Sequence, residues 1–245
     1  MRYRGLRAAA LFSGGKDSTY ALHWAFLKGF SVEVLVTLRP ERSDSWMFHR
    51  PAVELTPLQA EALGLPLIVR GTSGEKNSEL GDLEDALREA VDEYGVYGVV
   101  TGALLSDYQR MNINFVAHRL GLKVYSPLWR KNQASYMRDL VRHGFKFLLT
   151  SISAYGLPPR LLGRPLGEAD VEEIIARAKR YGFNPAFEGG EAETLVVDAP
   201  LFRSILRVQG HVEKKGEFEY LYVVDDAWLE EKEVTGFGRP AAKEL

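Results

Sequence analysis

A glycine-rich segment near the start of the chain has the residue types of a phosphate-binding loop. An apolar run at residues 8–12 leads into Ser13-Gly14-Gly15-Lys16-Asp17-Ser18, and a helical pattern follows directly. Glycines let backbone N–H groups approach oxyanions, and the first amides of a helix point at the anion. Lys16 adds a positive charge, Asp17 is a candidate ligand for Mg²⁺ between phosphates, and Asp17 or Ser18 could cap the helix. The P-loop spacing GxxxxGK[ST] is absent. The alternative is a turn whose glycines serve geometry alone.

A second segment concentrates negative charge around two glycines. Glu188-Gly189-Gly190-Glu191-Ala192-Glu193-Thr194 places three carboxylates within one turn. Such groups repel one another unless a cation shares them, so a metal ion, ammonium or a basic side chain of an acceptor are the candidates. The alternative is a solvated acidic turn before a strand.

Other candidate residues follow predicted strands. Residues 45–49 follow the second strand, where ligands of parallel sheets bind. Met47 and Phe48 could border an adenine or simply pack, and His49 is a candidate because of these neighbours. Thr101-Gly102 ends the fourth strand, and a residue without Cβ allows a nucleotide to approach closely. Ser106 and Asp107 could simply cap the next helix. Tyr108, Gln109 and Arg110 would face different directions on that helix, so they cannot all line one site.

The elements that position these residues alternate between strand and helix. Continuous apolar runs predict buried strands, and helical patterns that stop at glycine predict helices. Strict alternation indicates βαβ units and a parallel sheet with helices on both faces, hence an α/β fold. The predicted strands are residues 8–12, 31–38, 67–70, 98–101 and 122–125, and the predicted helices are residues 17–28, 57–63, 80–94 and 107–120.

The pattern changes after residue 127 and predicts a smaller α+β domain. Helices are expected at residues 134–143 and 168–181, with a strand at 145–151 and an irregular loop at 157–167. Residues 194–224 favour antiparallel strands, with a hairpin turn at residues 214–217. We therefore predict three parts: a phosphate-binding domain at residues 1–130, the smaller domain with the acidic turn at 131–226, and a charged, mobile tail at 227–245.

Composition excludes several classes of protein. The formal net charge is −2, which argues against bulk attraction to nucleic acid or an anionic membrane. Cysteine is absent, which excludes disulfides, cysteine-ligated metal centres and thiolate chemistry. No apolar run approaches the length of a membrane span or a signal peptide. The sequence predicts a cytoplasmic globular protein that binds neither membrane nor nucleic acid.

Several motifs together resemble a known family. SGGKDS in its strand–loop–helix context resembles the PP-loop of the N-type ATP pyrophosphatases, which cleave ATP between its α- and β-phosphates and adenylate an acceptor oxygen. Further segments resemble the diphthine–ammonia ligase family over residues 7 to about 224. They are residues 44–49, 58–66, 101–110, 126–129 with Gln133, and 188–202.

The resemblance implies a Rossmann-like (HUP-type) sheet and an ATP-dependent ligase. Its members amidate the diphthine carboxylate of translation elongation factor two with ammonium, using ATP, for which we expect Mg²⁺, and releasing AMP and pyrophosphate. We expect the ATP site at Phe12, Ser13, Gly14, Gly15, Lys16, Asp17, Ser18, Met47, His49, Thr101 and Gly102, with Asp17 as metal ligand. We expect the acceptor and ammonium site at Asp107, Tyr108, Gln109, Glu188, Glu191, Glu193 and Thr194.

Catalysis is assigned to four of these residues. Lys16 and Asp17 act on the phosphates, and Glu191 or Glu193 binds ammonium or accepts its proton after the acidic turn folds back over the nucleotide. Free ammonium is the simpler nitrogen source, because no glutaminase cysteine is present. The alternatives are another PP-loop amidating ligase, for a small carboxylate or a nucleotide base, and a non-catalytic adenine-nucleotide sensor. Oligomeric state stays open, with a homodimer as one alternative.

Two departures from the family pattern concern the acceptor side. Asn112 and Asn114 stand where the family usually has an arginine and a glutamate, which suggests an amide pair in place of a salt bridge or a changed acceptor pocket. Ala192 stands where tyrosine is common.

Overall fold

The computed structural model describes residues 5–40, 53–72 and 76–232. Its helices and strands follow the predicted order closely, with boundaries that differ by a few residues. The strands are β1 (Arg7–Leu11), β2 (Ser31–Pro40), β3 (Leu67–Thr72), β4 (Gly98–Val100), β5 (Lys123–Tyr125), β6 (Lys146–Ile152), β7 (Ala192–Asp198), β8 (Ser204–Lys214) and β9 (Tyr220–Glu231). The helices are α1 (Lys16–Leu27), α2 (Thr56–Leu63), α3 (Lys76–Tyr94), α4 (Asp107–Arg119), α5 (Gln133–Arg142) and α6 (Glu168–Tyr181), with a short 3-10 turn at Pro159–Leu161.

The first half of the chain forms a five-stranded parallel sheet. Its strand order is β3-β2-β1-β4-β5, so the chain reverses direction across the sheet between β1 and β4. Alternate residues of β1 enter opposite cores: Ala8 and Ala10 pack on one face, and Ala9 and Leu11 on the other. Burial on both faces explains why the strands are continuous apolar runs. The predicted Rossmann-like α/β class is confirmed, and ligands of such sheets bind at the carboxyl ends beside the reversal point.

The second half forms a four-stranded antiparallel sheet with helices α5 and α6. Its order is β7-β6-β9-β8. One hydrophobic core joins it to the first sheet, because Phe12 and Tyr20 belong to the same buried cluster as Phe147 and Leu195. The two halves therefore pack together through a shared hydrophobic core.

The β8–β9 hairpin is longer than the sequence predicted. β9 continues to Glu231, so residues 227–231, which were expected to begin a mobile tail, are part of the sheet. Cross-strand pairing accounts for the extension: Leu206 is buried opposite Leu229, and the Arg207 guanidinium donates to both carboxylate oxygens of Glu230, at 2.8 and 2.9 Å. Residues 233–245 lie outside the described part of the chain.

Among the described helices, none is both long and apolar enough to cross a membrane.

A buried histidine ties the first helix to the second half. His23 in α1 is 6% exposed; its Nδ1 lies 2.7 Å from the Thr19 carbonyl oxygen, and its Nε2 accepts from the Leu201 N–H at 3.0 Å. This arrangement requires the neutral tautomer with the proton on Nδ1. Burial is the main cause that lowers the pKa of His23 to about 4, and the positive charge of Lys232 contributes. The structure thus assigns His23 a packing role.

We expect His23 to stay neutral far below the pH at which an exposed histidine is protonated. Because its folded-state pKa lies below the unfolded value of 6.5, His23 contributes stability above pH 6.5 that is lost as the pH falls towards 4. From this shift, the free energy of unfolding at pH 5 should be about 2 kcal/mol lower than at neutral pH, because the unfolded state binds a proton that the folded state does not. The exposed His211, whose pKa is raised by its bonds to Asp225 and Glu213, is an internal contrast. NMR titration should show His211 protonated and His23 neutral at pH 5.5, and joint titration of the two would contradict this prediction.

Candidate functional site

A cleft of about 590 Å³ lies at the carboxyl ends of β1 and β4, and the second half of the chain forms one of its walls. The loop after β1, the loop after β4 and the acidic turn before β7 meet there. The lining residues are Leu11, Phe12, Ser13, Lys16, Asp17, Ser18, Val36, Leu38, Thr101, Gly102, Ala103, Leu104, Ser106, Gln109, Ile113, Phe187, Glu188, Gly189, Gly190, Ala192, Glu193 and Thr194.

The loop after β1 is held by its own hydroxyl groups. Gly14 has a φ of +78°, a left-handed conformation that glycine adopts without steric cost. The Ser18 and Thr19 hydroxyls both donate to the Gly15 carbonyl oxygen, at 3.2 and 2.9 Å. The Ser13 N–H donates to the Ser18 hydroxyl at 3.2 Å. Ser18 therefore bridges the two ends of the loop from inside, rather than capping α1; the N-cap position is Gly15.

Distant parts of the chain brace the same loop from outside. The Gly14 carbonyl oxygen accepts from the Val196 N–H at 3.0 Å and from the Gln59 amide at 2.9 Å. The Gln59 amide also donates to the Val196 carbonyl oxygen at 2.7 Å. The Lys16 N–H donates to the Thr194 hydroxyl at 3.1 Å. Gln59 lies in the segment 58–66 that carries the family resemblance but was not predicted as a site residue, because a glutamine in a short helix carries no signal of where its amide bonds.

Lys16 and Asp17 form a charged pair at the start of α1. The Lys16 residue is 3% exposed, its ammonium donates to Asp17 Oδ2 at 2.9 Å, and it lies 5.6 Å from the centre of the Phe187 ring. The other Asp17 oxygen, Oδ1, accepts from the Tyr136 hydroxyl at 2.8 Å. Burial, reinforced by the charge of Asp17, raises the pKa of Tyr136 well above its usual value, so the hydroxyl stays a donor. Tyr136 was also missed, since α5 reads as an ordinary amphipathic helix.

Gly102 lacks a side chain for a different reason from the one expected. A Cβ at this position would lie 2.6 Å from the Asp17 carbonyl carbon and 2.7 Å from the Ser18 nitrogen. The close approach is therefore made by the backbone of α1. The neighbouring Thr101 is buried, and its hydroxyl accepts from the Ala103 N–H at 3.3 Å.

In the acidic turn, Glu191 supports the backbone instead of facing the cleft. Its two carboxylate oxygens accept from the Asn184 N–H at 2.7 Å and the Gly189 N–H at 2.8 Å. Phe187, with a φ of +67°, and Gly190, with a φ of +81°, make the turn tight. Glu191 is not among the residues that line the cleft. We therefore withdraw the expectation that Glu191 acts on ammonium, because both its oxygens serve the fold of the turn.

Glu188 is the carboxylate of the turn whose pKa is shifted by its surroundings. Its Oε2 accepts from the Leu105 N–H at 3.0 Å. Burial, followed by the charge of Asp17, raises the pKa of Glu188 to about 7, and the Lys16 ammonium opposes this shift. Glu193 also lines the cleft, and its N–H donates to the Ser151 hydroxyl at 3.2 Å. The turn thus brings two carboxylates, Glu188 and Glu193, into the cleft beside the loop after β1.

The start of α4 contributes one of its three expected residues. Ser106, not Asp107, caps the helix, because its hydroxyl accepts from the Gln109 N–H at 3.2 Å. Gln109 lines the cleft, whereas Asp107 and Tyr108 are exposed outside the lining. Met47 and His49, which were expected at the ATP site, lie outside the described residues.

The two asparagines of α4 do not form the expected amide pair. The Asn114 amide donates to the Arg110 carbonyl oxygen at 2.7 Å, one helical turn earlier. The buried Asn112 amide nitrogen has no partner among the described residues. Side chains two residues apart on a helix point away from each other, which explains the result.

Comparison with known proteins gives the site its family context. The diphthamide synthase N-terminal domain family matches residues 6–124, and the diphthamide synthase C-terminal domain family matches residues 132–229. A diphthine–ammonia ligase of Rattus norvegicus is 35% identical over 217 residues, covering 81% of this chain and 81% of the relative. The Homo sapiens relative is 34% identical with the same coverage.

Two further comparisons have lower coverage or similarity. A Schizosaccharomyces pombe diphthine–ammonia ligase is 35% identical over 237 residues, which are 89% of this chain and 39% of the relative. A solved structure described as a predicted subunit of a tRNA methyltransferase from Methanocaldococcus jannaschii has 18% identity and a TM-score of 0.41, covering 80% of this chain and 98% of the other; this similarity is too low to support an argument. The domain matches in both halves and the identities to curated relatives together show that the chain belongs to the diphthine–ammonia ligase family.

Proposed function

We propose that this protein is an ATP-dependent ligase that amidates the diphthine carboxylate of translation elongation factor two. Ammonium is the nitrogen source, and AMP and pyrophosphate are the other products. One observation carries the proposal: the phosphate-binding loop and the acidic turn, which belong to different halves of the chain, line one cleft. Membership in a family whose curated relatives are named diphthine–ammonia ligase supports the choice of acceptor. Because that acceptor is a translation factor, we place the protein in the cytoplasm.

The phosphates of ATP are assigned to the loop and the start of α1. N–H groups at the N-terminus of a helix and the Lys16 ammonium favour an anion, and hydrogen bonds within the protein hold the loop in shape. The bond from Tyr136 fixes the Asp17 carboxylate beside Lys16. Preorganised charges of this kind stabilise the charge that develops as pyrophosphate leaves.

Mg²⁺ is proposed to bind with ATP, with Asp17 as its protein ligand. Within residues 5–40, 53–72 and 76–232, no cluster of three or more Asp, Glu, His or Cys side chains is arranged to hold a metal ion. A magnesium ion that arrives with a nucleotide needs only one or two carboxylates, with phosphates and water as its other ligands. Asp17 fits, because its carboxylate lines the cleft and is 28% exposed. The ion would neutralise charge on the phosphates.

The chemistry is assigned to two steps. In the first, a carboxylate oxygen of the acceptor attacks the α-phosphorus of ATP, and pyrophosphate leaves. In the second, the nitrogen of ammonia attacks the acyl carbon, AMP leaves with the electrons of the C–O bond, and the nitrogen loses a proton to give the amide. At neutral pH ammonium dominates, so the cleft must bind this cation and take a proton from it.

Glu188 is the residue that fits this proton transfer best. Burial and the charges of Asp17 and Glu191 raise its pKa, and the charge of Lys16 lowers it. With a resulting pKa of about 7, Glu188 is partly ionised at neutral pH. A base whose pKa lies near the working pH both accepts and releases protons readily. Glu193 is assigned to attracting the cation, because it lines the same cleft.

The reaction itself is the first test. Incubation with diphthine-bearing elongation factor two, ATP and ammonium should convert the carboxylate into an amide, detected by mass spectrometry as a loss of about 1 Da. The two nucleotide products, followed by chromatography of α-labelled ATP, should be AMP with pyrophosphate. ADP and phosphate as the main products would reject the proposed cleavage, and an unmodified factor would reject the acceptor.

Asp17→Asn should lower AMP formation by about a hundredfold or more, because one charge-stabilising group is lost. Asparagine keeps the size of the side chain and one acceptor oxygen for the Tyr136 hydroxyl, while the bond from the Lys16 ammonium is lost. Asp85→Asn, at an exposed position of α3, is the matched control and should behave as wild type. Equal AMP formation by both variants would exclude the role given to Asp17.

Glu188→Gln should change the pH dependence of amidation at fixed total ammonium. In the wild type the rate should rise as Glu188 ionises and level off above about pH 7, because ammonium is deprotonated in the cleft. The variant should use only dissolved ammonia, so its lower rate should keep rising about tenfold per pH unit. Glu61→Gln, at an exposed position of α2, is the control. A variant that levels off with the wild type would assign the proton to another group.

A further inference from the structure

Thr194 stands at the junction of the two halves. It lies on β7, is 6% exposed, and lines the cleft beside the phosphate-binding loop. Its hydroxyl accepts the N–H of Lys16, the first residue of α1, at 3.1 Å. This amide is one of those that a helix N-terminus directs at an anion.

The Thr194 hydroxyl carries a proton that no group in the described part of the chain accepts. A threonine hydroxyl has one proton to donate and two lone pairs to accept with. One lone pair takes the Lys16 N–H, and among the described residues no protein group accepts the proton. Because Thr194 is buried except where it faces the cleft, this proton is available to an acceptor inside the cleft.

The position of the hydroxyl is fixed from both sides. A Cβ on Gly15 would lie 3.3 Å from the Thr194 hydroxyl and 3.3 Å from its carbonyl oxygen, so strand and loop are in close contact. Two residues further along β7, the Val196 N–H binds the Gly14 carbonyl oxygen at 3.0 Å. A donor held by such contacts loses little conformational entropy when a ligand accepts from it.

We propose that Thr194 is a phosphate-binding residue, whose hydroxyl donates to an oxygen of the β- or γ-phosphate of ATP next to Lys16. The second half of the chain then supplies a direct ligand to the nucleotide. This replaces the expectation that Thr194 serves the acceptor or ammonium. The inference rests on the proposed function only in taking ATP as the nucleotide, and it does not depend on the acceptor.

Binding measurements with matched variants test this assignment. Thr194→Val removes the hydroxyl and keeps the shape, and Thr194→Ser keeps the hydroxyl. Thr150→Val, on the neighbouring strand β6, is the control, because its buried hydroxyl has no partner among the described residues. The ligands, titrated by calorimetry, are α,β-methylene-ATP, inorganic pyrophosphate and AMP.

We expect Thr194→Val to weaken binding of α,β-methylene-ATP and pyrophosphate by about ten- to a hundredfold, as for a lost hydrogen bond to a charged group. AMP affinity should stay unchanged, Thr194→Ser should restore phosphate binding, and Thr150→Val should match the wild type. Equal loss for AMP and the ATP analogue, or no loss at all, would overturn the inference. A wild type that binds the ATP analogue but does not amidate would instead contradict the proposed function.

Discussion

The carbonyl oxygen of Gly14 is the point on which the site depends. A left-handed glycine turns this oxygen away from the regular bonding of strand and helix, so it must find donors elsewhere. It finds two: the backbone of β7, through Val196, and the side chain of Gln59 in α2. Both donors come from parts of the chain far from the loop. The shape of the loop after β1 is therefore a property of the whole fold, because bonds from β7 and α2 hold it in place.

Residues from both halves of the chain also set the charge balance in the cleft. Lys16 is buried beside Asp17, whose two oxygens accept from Lys16 itself and from the fully buried Tyr136. Glu188 adds a second carboxylate nearby, and burial near Asp17 is what holds its pKa near 7. A nucleotide and an ammonium ion would add charges of opposite sign to this set. The cleft thus holds charged groups of both signs that already perturb one another.

The glutamates of the acidic turn differ in what their carboxylates contact. Glu191 uses its carboxylate to hold the backbone amides of Asn184 and Gly189, which stabilises the conformation that presents Glu188. Phe187, in the same tight turn, has a positive φ. This conformation is strained for a residue other than glycine, so the surrounding contacts must offset its cost. Three glutamates that look equivalent in a motif therefore have different environments, and only their bonds distinguish them.

The sequence by itself determined the parallel sheet, the order of its helices and strands, the two segments that meet in the cleft, and the resemblance that the comparisons bear out. Apolar periodicity, glycines at helix ends and a rare loop pattern are local signals, and they survive without knowledge of what packs where. The tertiary structure alone decided that Gln59 and Tyr136 belong to the site, that Glu191 holds the turn, and that Gly102 makes room for the backbone of α1. It also extended β9 through residues whose charges had suggested a tail. The physical reason is the same in each case: a hydrogen bond or a burial between residues distant in sequence depends on where the chain returns to, and no local pattern records that position.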